Sequence, residues 1–142
     1  MDLSIRDLNT YNQMLKVFPL IHQFYPKITE KEFAKELKEM IELSDYKMIA
    51  SYIDKELVGV SGYLVSRMFY CGKFLQACNL IVLEKYRGQG IGKKLLQNLE
   101  EKAKELNCDK LVLDSYTENK KSHSLYFGEN FYIRGFHFMK NL

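Results

Sequence analysis

The spacing of apolar residues predicts strands and helices in alternation along the chain. Weak alternation over Leu3–Asp7 predicts a short first strand. Helical spacing then predicts one helix from Thr10 to about Tyr25 and a second that begins at a capping box on Thr29. Three strand-like segments complete this half, and short turns separate them: Tyr46–Ile53, Leu57–Val65 and Phe74–Leu83.

The second half of the chain reads as a strand, a helix and a strand with short connections. The apolar face of the helix starts at Ile91 and ends at Leu106, and an apolar strand follows over Lys110–Tyr116. Such a βαβ unit places its two strands parallel, with a right-handed crossover. A short helix over about Lys120–Phe127 and a last strand over Tyr132–Lys140 give the order βααβββαβαβ. The pattern therefore predicts an α/β (α+β) fold whose central sheet is mixed and largely antiparallel, with one parallel crossover.

The turn between Leu83 and Ile91 carries the most informative chemistry. Gly88, Gly90 and Gly92 alternate just where the crossover helix starts. Glycine allows close approach of a ligand to the backbone, and the first N–H groups of a helix have no partner within it. Those donors and the positive end of the helix dipole favour an anion, above all a phosphate. The turn is predicted to bind a phosphorylated cofactor.

Two common nucleotide motifs do not fit this turn. A dinucleotide fingerprint needs Gly-x-Gly-x-x-Gly, but Lys93 occupies its last position. A Walker A loop needs a glycine where the chain has Arg87, and Ser or Thr where it has Lys94.

The pattern that does fit is Arg-x-x-Gly-x-Gly, formed by Arg87, Gly90 and Gly92. It resembles the acetyl-CoA signature of the GNAT-type N-acetyltransferase superfamily. A second segment, from Asn119 to Phe131, resembles the other signature of that family, with Ser122 at its small position and Leu125-Tyr126 as its apolar-Tyr pair. Asn130 replaces the usual glycine there, and asparagine is the best non-glycine residue for a left-handed cap. The predicted order of elements is also that of the family.

The resemblance implies a mechanism and a set of site residues. An amine would attack the thioester of acetyl-CoA directly in a ternary complex, without a covalent enzyme intermediate. Tyr126 would protonate the departing thiolate. The main chain of a bulged strand at Leu80 and Val82 would contact pantetheine and the oxyanion. Residues implied to bind the cofactor in the glycine turn and beyond it are Arg87, Gly88, Gln89, Gly90, Ile91, Gly92, Lys93 and Asn119.

The sequence defines the general base and the acceptor site less well than the cofactor site. Glu84, Asp114, Glu118 and His123 are candidates for the base, and an ordered water is the alternative. His123 and Tyr126 are three residues apart on one predicted helix and can share a face. The acceptor is expected near the loop after the first helix, at His22, Tyr25 and Pro26. Polyamines, amino acids, aminoglycosides, peptide N-termini and protein lysines are all acceptors within the family, so the sequence leaves the amine open.

Composition narrows the class of protein. The chain has 142 residues, of which 46% are hydrophobic, and this predicts a single domain over residues 1–142. A net charge of +3 argues against a nucleic-acid partner. The sequence has no apolar window long enough to span a membrane and no signal peptide, so a cytoplasmic protein is expected. Three cysteines and three histidines in scattered positions predict reduced thiols and no metal site.

Three rival functions remain open at this stage. A non-catalytic acyl-CoA sensor or scaffold would keep the glycine turn and dispense with Tyr126. An oxidoreductase would use Asp109 or Asp114 to hold a ribose, but the glycine spacing opposes it. A protein–protein adaptor would bind no cofactor. A homodimer is also left open.

Overall fold

The computed structural model describes residues 2–142. It contains two compact units, Met1–Val112 and Leu113–Leu142. The first holds the sheet, the glycine turn and the crossover helix, and the second holds the Asn119–Phe131 motif. No helix in the described range could cross a membrane, and no disulfide is formed there.

The N-terminal helical region has three helices, where the sequence predicted two. They are α1 (Tyr11–Leu15), α2 (Phe18–Phe24) and α3 (Glu30–Ser44). Pro19 lies in the first turn of α2, where its missing N–H is harmless, and Val17 is the N-cap, so the predicted first helix is divided there. Thr10 and Gln13 form a complete capping box at α1, and the Thr29 hydroxyl accepts the Glu32 N–H at α3.

Five strands form one sheet in the order β1-β2-β3-β4-β5. Their bounds are Leu3–Leu8, Lys47–Ile53, Glu56–Met68, Gly72–Val82 and Lys110–Leu113. The first four pair antiparallel, and β5 adds the parallel pair after the crossover helix α4 (Ile91–Glu105). The predicted fold class, a mixed and largely antiparallel sheet with one parallel crossover, is confirmed.

The core of the first unit fixes the base of the glycine turn. The apolar face predicted for the crossover helix is buried at Ile91, Leu95, Leu99 and Ala103. Leu106, predicted at the end of this face, is the C-cap and is 43% exposed. Ile91, the first residue of α4, is 1% exposed, so the helix is anchored from its first turn.

The second unit contains α5 (Lys120–Gly128) and lacks the predicted last strand. Residues 131–142 form neither helix nor strand, and the prediction of a strand over Tyr132–Lys140 was wrong. A strand needs ladder hydrogen bonds to a neighbour. None of the backbone bonds described for the chain joins this segment to another strand, and its apolar side chains, such as Phe136 and Phe138, are exposed.

Candidate active site

A bulge interrupts β4 at the point where the resemblance implied one. Gly62 pairs with Cys78 and Val60 pairs with Ile81, so β4 supplies Asn79 and Leu80 where β3 supplies one residue. Asn79 has a φ of 51°, in the left-handed region. An extra residue bends a strand and increases its local twist. The second half of β4 is thereby shifted out of its regular register with β3.

The main-chain groups of Val82 face away from β3. The Leu83 N–H donates to the Val58 carbonyl at 2.8 Å, and successive residues of an antiparallel strand direct their hydrogen-bonding groups to opposite sides. β5 has only four residues and starts beside Lys73, whose carbonyl accepts the Asp109 N–H at 2.6 Å. The end of β4 therefore extends well past the four residues of β5.

Two side chains hold the Val82 carbonyl. Gln23 of α2 donates to it through Nε2 at 3.2 Å, and Arg87 donates to it through Nε at 3.3 Å. Gln23 Oε1 also accepts the Glu84 N–H at 3.0 Å. The amide of Gln23 thus bridges the backbone on both sides of Leu83. We call these two contacts of Gln23, with Val82 and with Glu84, the Gln23 clamp. It fixes the end of β4. Arg87 is held by the same Val82 carbonyl.

A short 3-10 helix over Glu84–Tyr86 leads into the glycine turn and is tied to the start of β3. Glu56 accepts the Tyr86 hydroxyl at 2.8 Å and pairs with Lys85 at 2.8 Å. These hydrogen bonds lower the pKa of Glu56 and raise those of Lys85 and Tyr86. The charges are exposed, so their contribution is chiefly to geometry rather than to stability.

The glycine turn presents unpaired amides. Gly88 and Gly90 have φ of 78° and 81°, so both positions favour glycine by conformation. Gly90 is the N-cap of α4, and its carbonyl accepts the Lys94 N–H at 3.1 Å. The amides of Ile91, Gly92 and Lys93 precede that bond and have no acceptor within residues 2–142.

This arrangement suits a diphosphate. Residues 88–90 are exposed, and a β-carbon added at Gly88 or Gly90 would meet no atom within 4 Å. Open space lies in front of a helix N-terminus whose dipole attracts negative charge. The orphan donors and the open approach fit the pyrophosphate of a coenzyme A derivative.

Tyr126 is a half-buried phenol on α5. Burial raises its pKa, and a hydrogen bond with the Ser122 side chain acts in the opposite direction. Its ring stands edge-on to Phe131, with centroids 6.0 Å apart. Within the second unit, the serine and tyrosine of the predicted motif are therefore joined directly. The phenol is a proton donor at neutral pH.

The end of α5 has the left-handed cap that the sequence predicted. Asn130 has a φ of 67°. The Phe131 N–H donates to the Tyr126 carbonyl at 3.0 Å, and the Asn130 N–H donates to the Phe127 carbonyl at 3.1 Å. This is a Schellman motif, and it shows that asparagine serves in place of the family's glycine.

The remaining predicted residues have different surroundings. Asn119 is the N-cap of α5, but its side chain makes no capping hydrogen bond. His123 donates through Nε2 to the Tyr116 carbonyl at 2.8 Å, given the tautomer that this contact requires. Glu84 is exposed. Asp114 contacts His137 at 3.2 Å. Tyr25 is the C-cap of α2, 37% exposed, and stacks edge-on with Phe24.

A cavity of about 200 Å³ lies elsewhere in the first unit. Its walls come from β1, α1, the end of α3 and the start of β2, and include Asp7, Met14, Ile41 and Tyr46. His22, Tyr25 and Pro26 do not line it, so this cavity is not the predicted acceptor site.

Sequence reasoning missed the residues that support the site from other elements. Gln23, Glu56 and Tyr46 each bond a distant part of the chain, at separations of 59, 30 and 33 residues. No local motif marks such contacts. The only signal for Gln23 was a polar residue among the apolar residues at the end of a helix.

The comparisons with known proteins identify the family. The model of the acetyltransferase (GNAT) family matches residues 14–128, and the chain belongs to that family. It is an acetyl-CoA-dependent N-acetyltransferase, and the predictions of family, activity and co-substrate are confirmed.

The individual relatives have low sequence identity to this chain. Glucosamine 6-phosphate N-acetyltransferase from Arabidopsis thaliana is 28% identical over 99 residues, which span 66% of this chain and 66% of that protein. The structure of ribosomal-protein-alanine N-acetyltransferase from Brucella melitensis biovar Abortus 2308 has a TM-score of 0.82 at 19% identity, covering 99% of both chains. That of AAC(6')-Iy, in complex with the bisubstrate analog CoA-S-monomethyl-acetylneamine, has a TM-score of 0.81 at 17% identity, covering 100% of both chains.

Proposed function

We propose that this chain acetylates the primary amine of a small molecule by direct transfer in a ternary complex. The single observation that supports it most is the set of unpaired amides at Ile91, Gly92 and Lys93, which follow two left-handed glycines. Gly88, Gln89 and Gly90 would complete the cradle for the pyrophosphate. Arg87, held on the Val82 carbonyl through Nε, has its terminal nitrogens left to add positive charge.

Acetyl transfer requires a proton donor and groups that align the thioester. The amine forms a C–N bond with the acetyl carbon, the C–S bond breaks, and the thiolate takes a proton. Tyr126 is proposed to give that proton, because its phenol is protonated and half-buried. The main chain of Leu80, together with the outward main chain of Val82, is proposed to align the pantetheine and to stabilise the oxyanion. Asn119, whose side chain is not used as a cap, is proposed to contact the pantetheine arm.

The proton of the amine needs an acceptor. Glu84 is exposed beside the Gln23 clamp, and His123 keeps its Nδ1 nitrogen for a proton when Nε2 donates to Tyr116. Both remain candidates for the base, with ordered water as the alternative. Tyr25 is proposed as part of the acceptor wall, since it is partly exposed at the end of the helix that carries Gln23.

The acceptor is proposed to be a small amine. The name of one relative specifies a small amine, glucosamine 6-phosphate, and the structure of AAC(6')-Iy contains a bisubstrate analog built on acetylneamine. The name of a third relative specifies a protein acceptor, ribosomal-protein alanine. The small net charge of +3 gives no broad field for a highly charged macromolecule such as a nucleic acid. We further propose that residues 1–142 act as one domain in the cytoplasm, without a membrane partner.

The test combines binding with turnover. Acetyl-CoA at about 100 times its Kd should stabilise the protein by about 2.7 kcal/mol and raise its Tm by several degrees. The protein should then release free thiol from acetyl-CoA when small amines are added. Small amines should give a faster release than peptides or protein lysines. Binding without thiol release from any amine would favour the non-catalytic sensor, and absence of binding would contradict the proposal altogether.

A further inference from the structure

Tyr46 is a buried tyrosine whose hydroxyl reaches the bulge in β4. Its side chain is 3% exposed, and it donates to Asn79 Oδ1 at 3.0 Å. Burial raises the pKa of this phenol, and nearby Cys78 and Tyr25 act in the same direction. The hydroxyl is therefore protonated at neutral pH and can donate a hydrogen bond. Asn79 is the residue of the bulge that has the left-handed φ of 51°.

The backbone at Asn79 needs an external constraint. An L-residue in the left-handed region is disfavoured relative to its ordinary conformation, and asparagine tolerates that region better than most residues. Such a conformation persists when the surrounding structure holds it. The Tyr46 hydroxyl supplies that hold through the Asn79 side chain.

The position of the Tyr46 hydroxyl depends on Gly62. A β-carbon added at Gly62 would overlap the hydroxyl oxygen of Tyr46. Gly62 is also the residue of β3 that pairs with Cys78, immediately before the bulge. Three residues from three segments thus meet at one point: Gly62 leaves the space, Tyr46 fills it, and Asn79 accepts its hydrogen bond.

We propose that Tyr46 is a positioning residue for acetyl transfer. By holding Asn79, it fixes the extra residue of β4, and so it sets the direction of the main chain from Leu80 to Val82. This inference rests on the proposed function, because that main chain is proposed to align the thioester. Tyr46 acts through Asn79 and needs no contact with substrate.

The test is Tyr46→Phe, which removes one oxygen and keeps the ring. We expect kcat to fall about 10-fold, because misplacement of reacting groups by a fraction of an ångström is costly. The Kd for acetyl-CoA should change less than about 3-fold, because the glycine turn supplies most of its polar contacts. Tyr11→Phe is the matched control: it also removes one hydroxyl bond, to the Ala34 carbonyl at 3.0 Å between α1 and α3, and should leave kcat unchanged.

A double-mutant cycle separates positioning from stability. Asn79→Gly permits the left-handed backbone without strain but loses the bond to Tyr46 that holds the backbone in that one conformation, so it should show the same loss of kcat. The double variant Tyr46→Phe/Asn79→Gly should be no slower than either single variant. Asn79→Gly also keeps the proposal testable if Tyr46→Phe does not fold.

The outcomes distinguish this inference from the proposed function. Wild-type kcat in both Tyr46→Phe and Asn79→Gly, with a lowered Tm, would overturn the inference and leave the function standing. Additive losses in the double variant would also overturn it. A wild-type protein that neither binds acetyl-CoA nor releases thiol would contradict the proposed function itself.

Discussion

Gly90 has a backbone conformation that an L-residue adopts only at a free-energy cost. Its φ is 81°, and no atom lies within 4 Å of a β-carbon placed on it. Gly90→Ala should therefore act through backbone strain rather than a clash, at a cost of about 1–2 kcal/mol. If the turn relaxes to avoid the strain, the amides lose alignment, and we expect the Kd for acetyl-CoA to rise about 5- to 10-fold. Calorimetric titration measures this change.

Gly135→Ala is the control for that substitution. Gly135 also has open space around its α-carbon, and its φ is not in the left-handed region. Its substitution should leave the Kd unchanged. Equal affinity in Gly90→Ala and wild type would contradict the assignment of this turn as the pyrophosphate site.

Tyr126 provides the second test at the scale of a residue. Tyr126→Phe should lower kcat by about 100-fold or more, the usual contribution of a positioned acid, and should leave the Kd for acetyl-CoA nearly unchanged. Tyr132→Phe, on an exposed tyrosine of the same unit, is the matched control and should keep full activity. Thiol release at the wild-type rate in Tyr126→Phe would remove this residue from the mechanism.

The pH dependence of kcat follows from the direction of the Tyr126 pKa. Burial raises it above the ordinary value of 10.0, so the donating form persists to a higher pH than in a free phenol. Deprotonation of Tyr126 should lower kcat, and the midpoint of that loss should therefore lie above about pH 10. A kcat–pH profile, with circular dichroism to check folding, measures it. A midpoint well below 10 that disappears in Tyr126→Phe would contradict this assignment.

At the scale of elements, α2 and β4 are joined by one side chain. Gln23→Glu keeps the acceptor for the Glu84 N–H and loses the donor to the Val82 carbonyl. A carboxylate against a carbonyl oxygen is repulsive, and we expect a loss of about 1–3 kcal/mol in the free energy of unfolding. The Kd for acetyl-CoA should rise several-fold, because the repulsion displaces a side chain that also holds the Glu84 N–H ahead of the glycine turn.

Gln13→Glu is a matched control for this change. Gln13 Oε1 only accepts, from the Asn9 and Thr10 amides, so a carboxylate can replace it in the capping box of α1. Denaturant unfolding and titration of both variants with acetyl-CoA measure the two effects. Equal stability and affinity in Gln23→Glu and Gln13→Glu would show that the clamp does not support the site.

Elements with strong local signals were predictable from the sequence. The glycines and the apolar face predicted α4 from its first residue, and Asn130 was correctly predicted to take the left-handed cap of α5. The first predicted helix is divided at Val17, the N-cap of α2. The apolar spacing continues across that break and hides it, although Pro19 is a signal for a helix start. The last strand was predicted over Tyr132–Lys140, but the residues of a segment do not reveal whether a partner edge is present. The contacts of Gln23 and Tyr46 are tertiary, and no sequence spacing encodes them.

At the scale of the molecule, each unit contains one part of the proposed chemistry. The first unit contains the bulge, the clamp and the glycine turn, and the second contains Tyr126 with Ser122. The first set is proposed to bind a coenzyme A thioester through backbone donors, which would impose little restriction on the acceptor. This division explains why the family and co-substrate could be predicted from two motifs while the amine could not.

A crystal structure with acetyl-CoA tests the central claim most directly. We expect pyrophosphate oxygens within hydrogen-bond distance of the amides of Ile91, Gly92 and Lys93, in front of α4. The same structure should show pantetheine along Leu80–Val82. A diphosphate bound at any other place, with these three amides still unpaired, would contradict it.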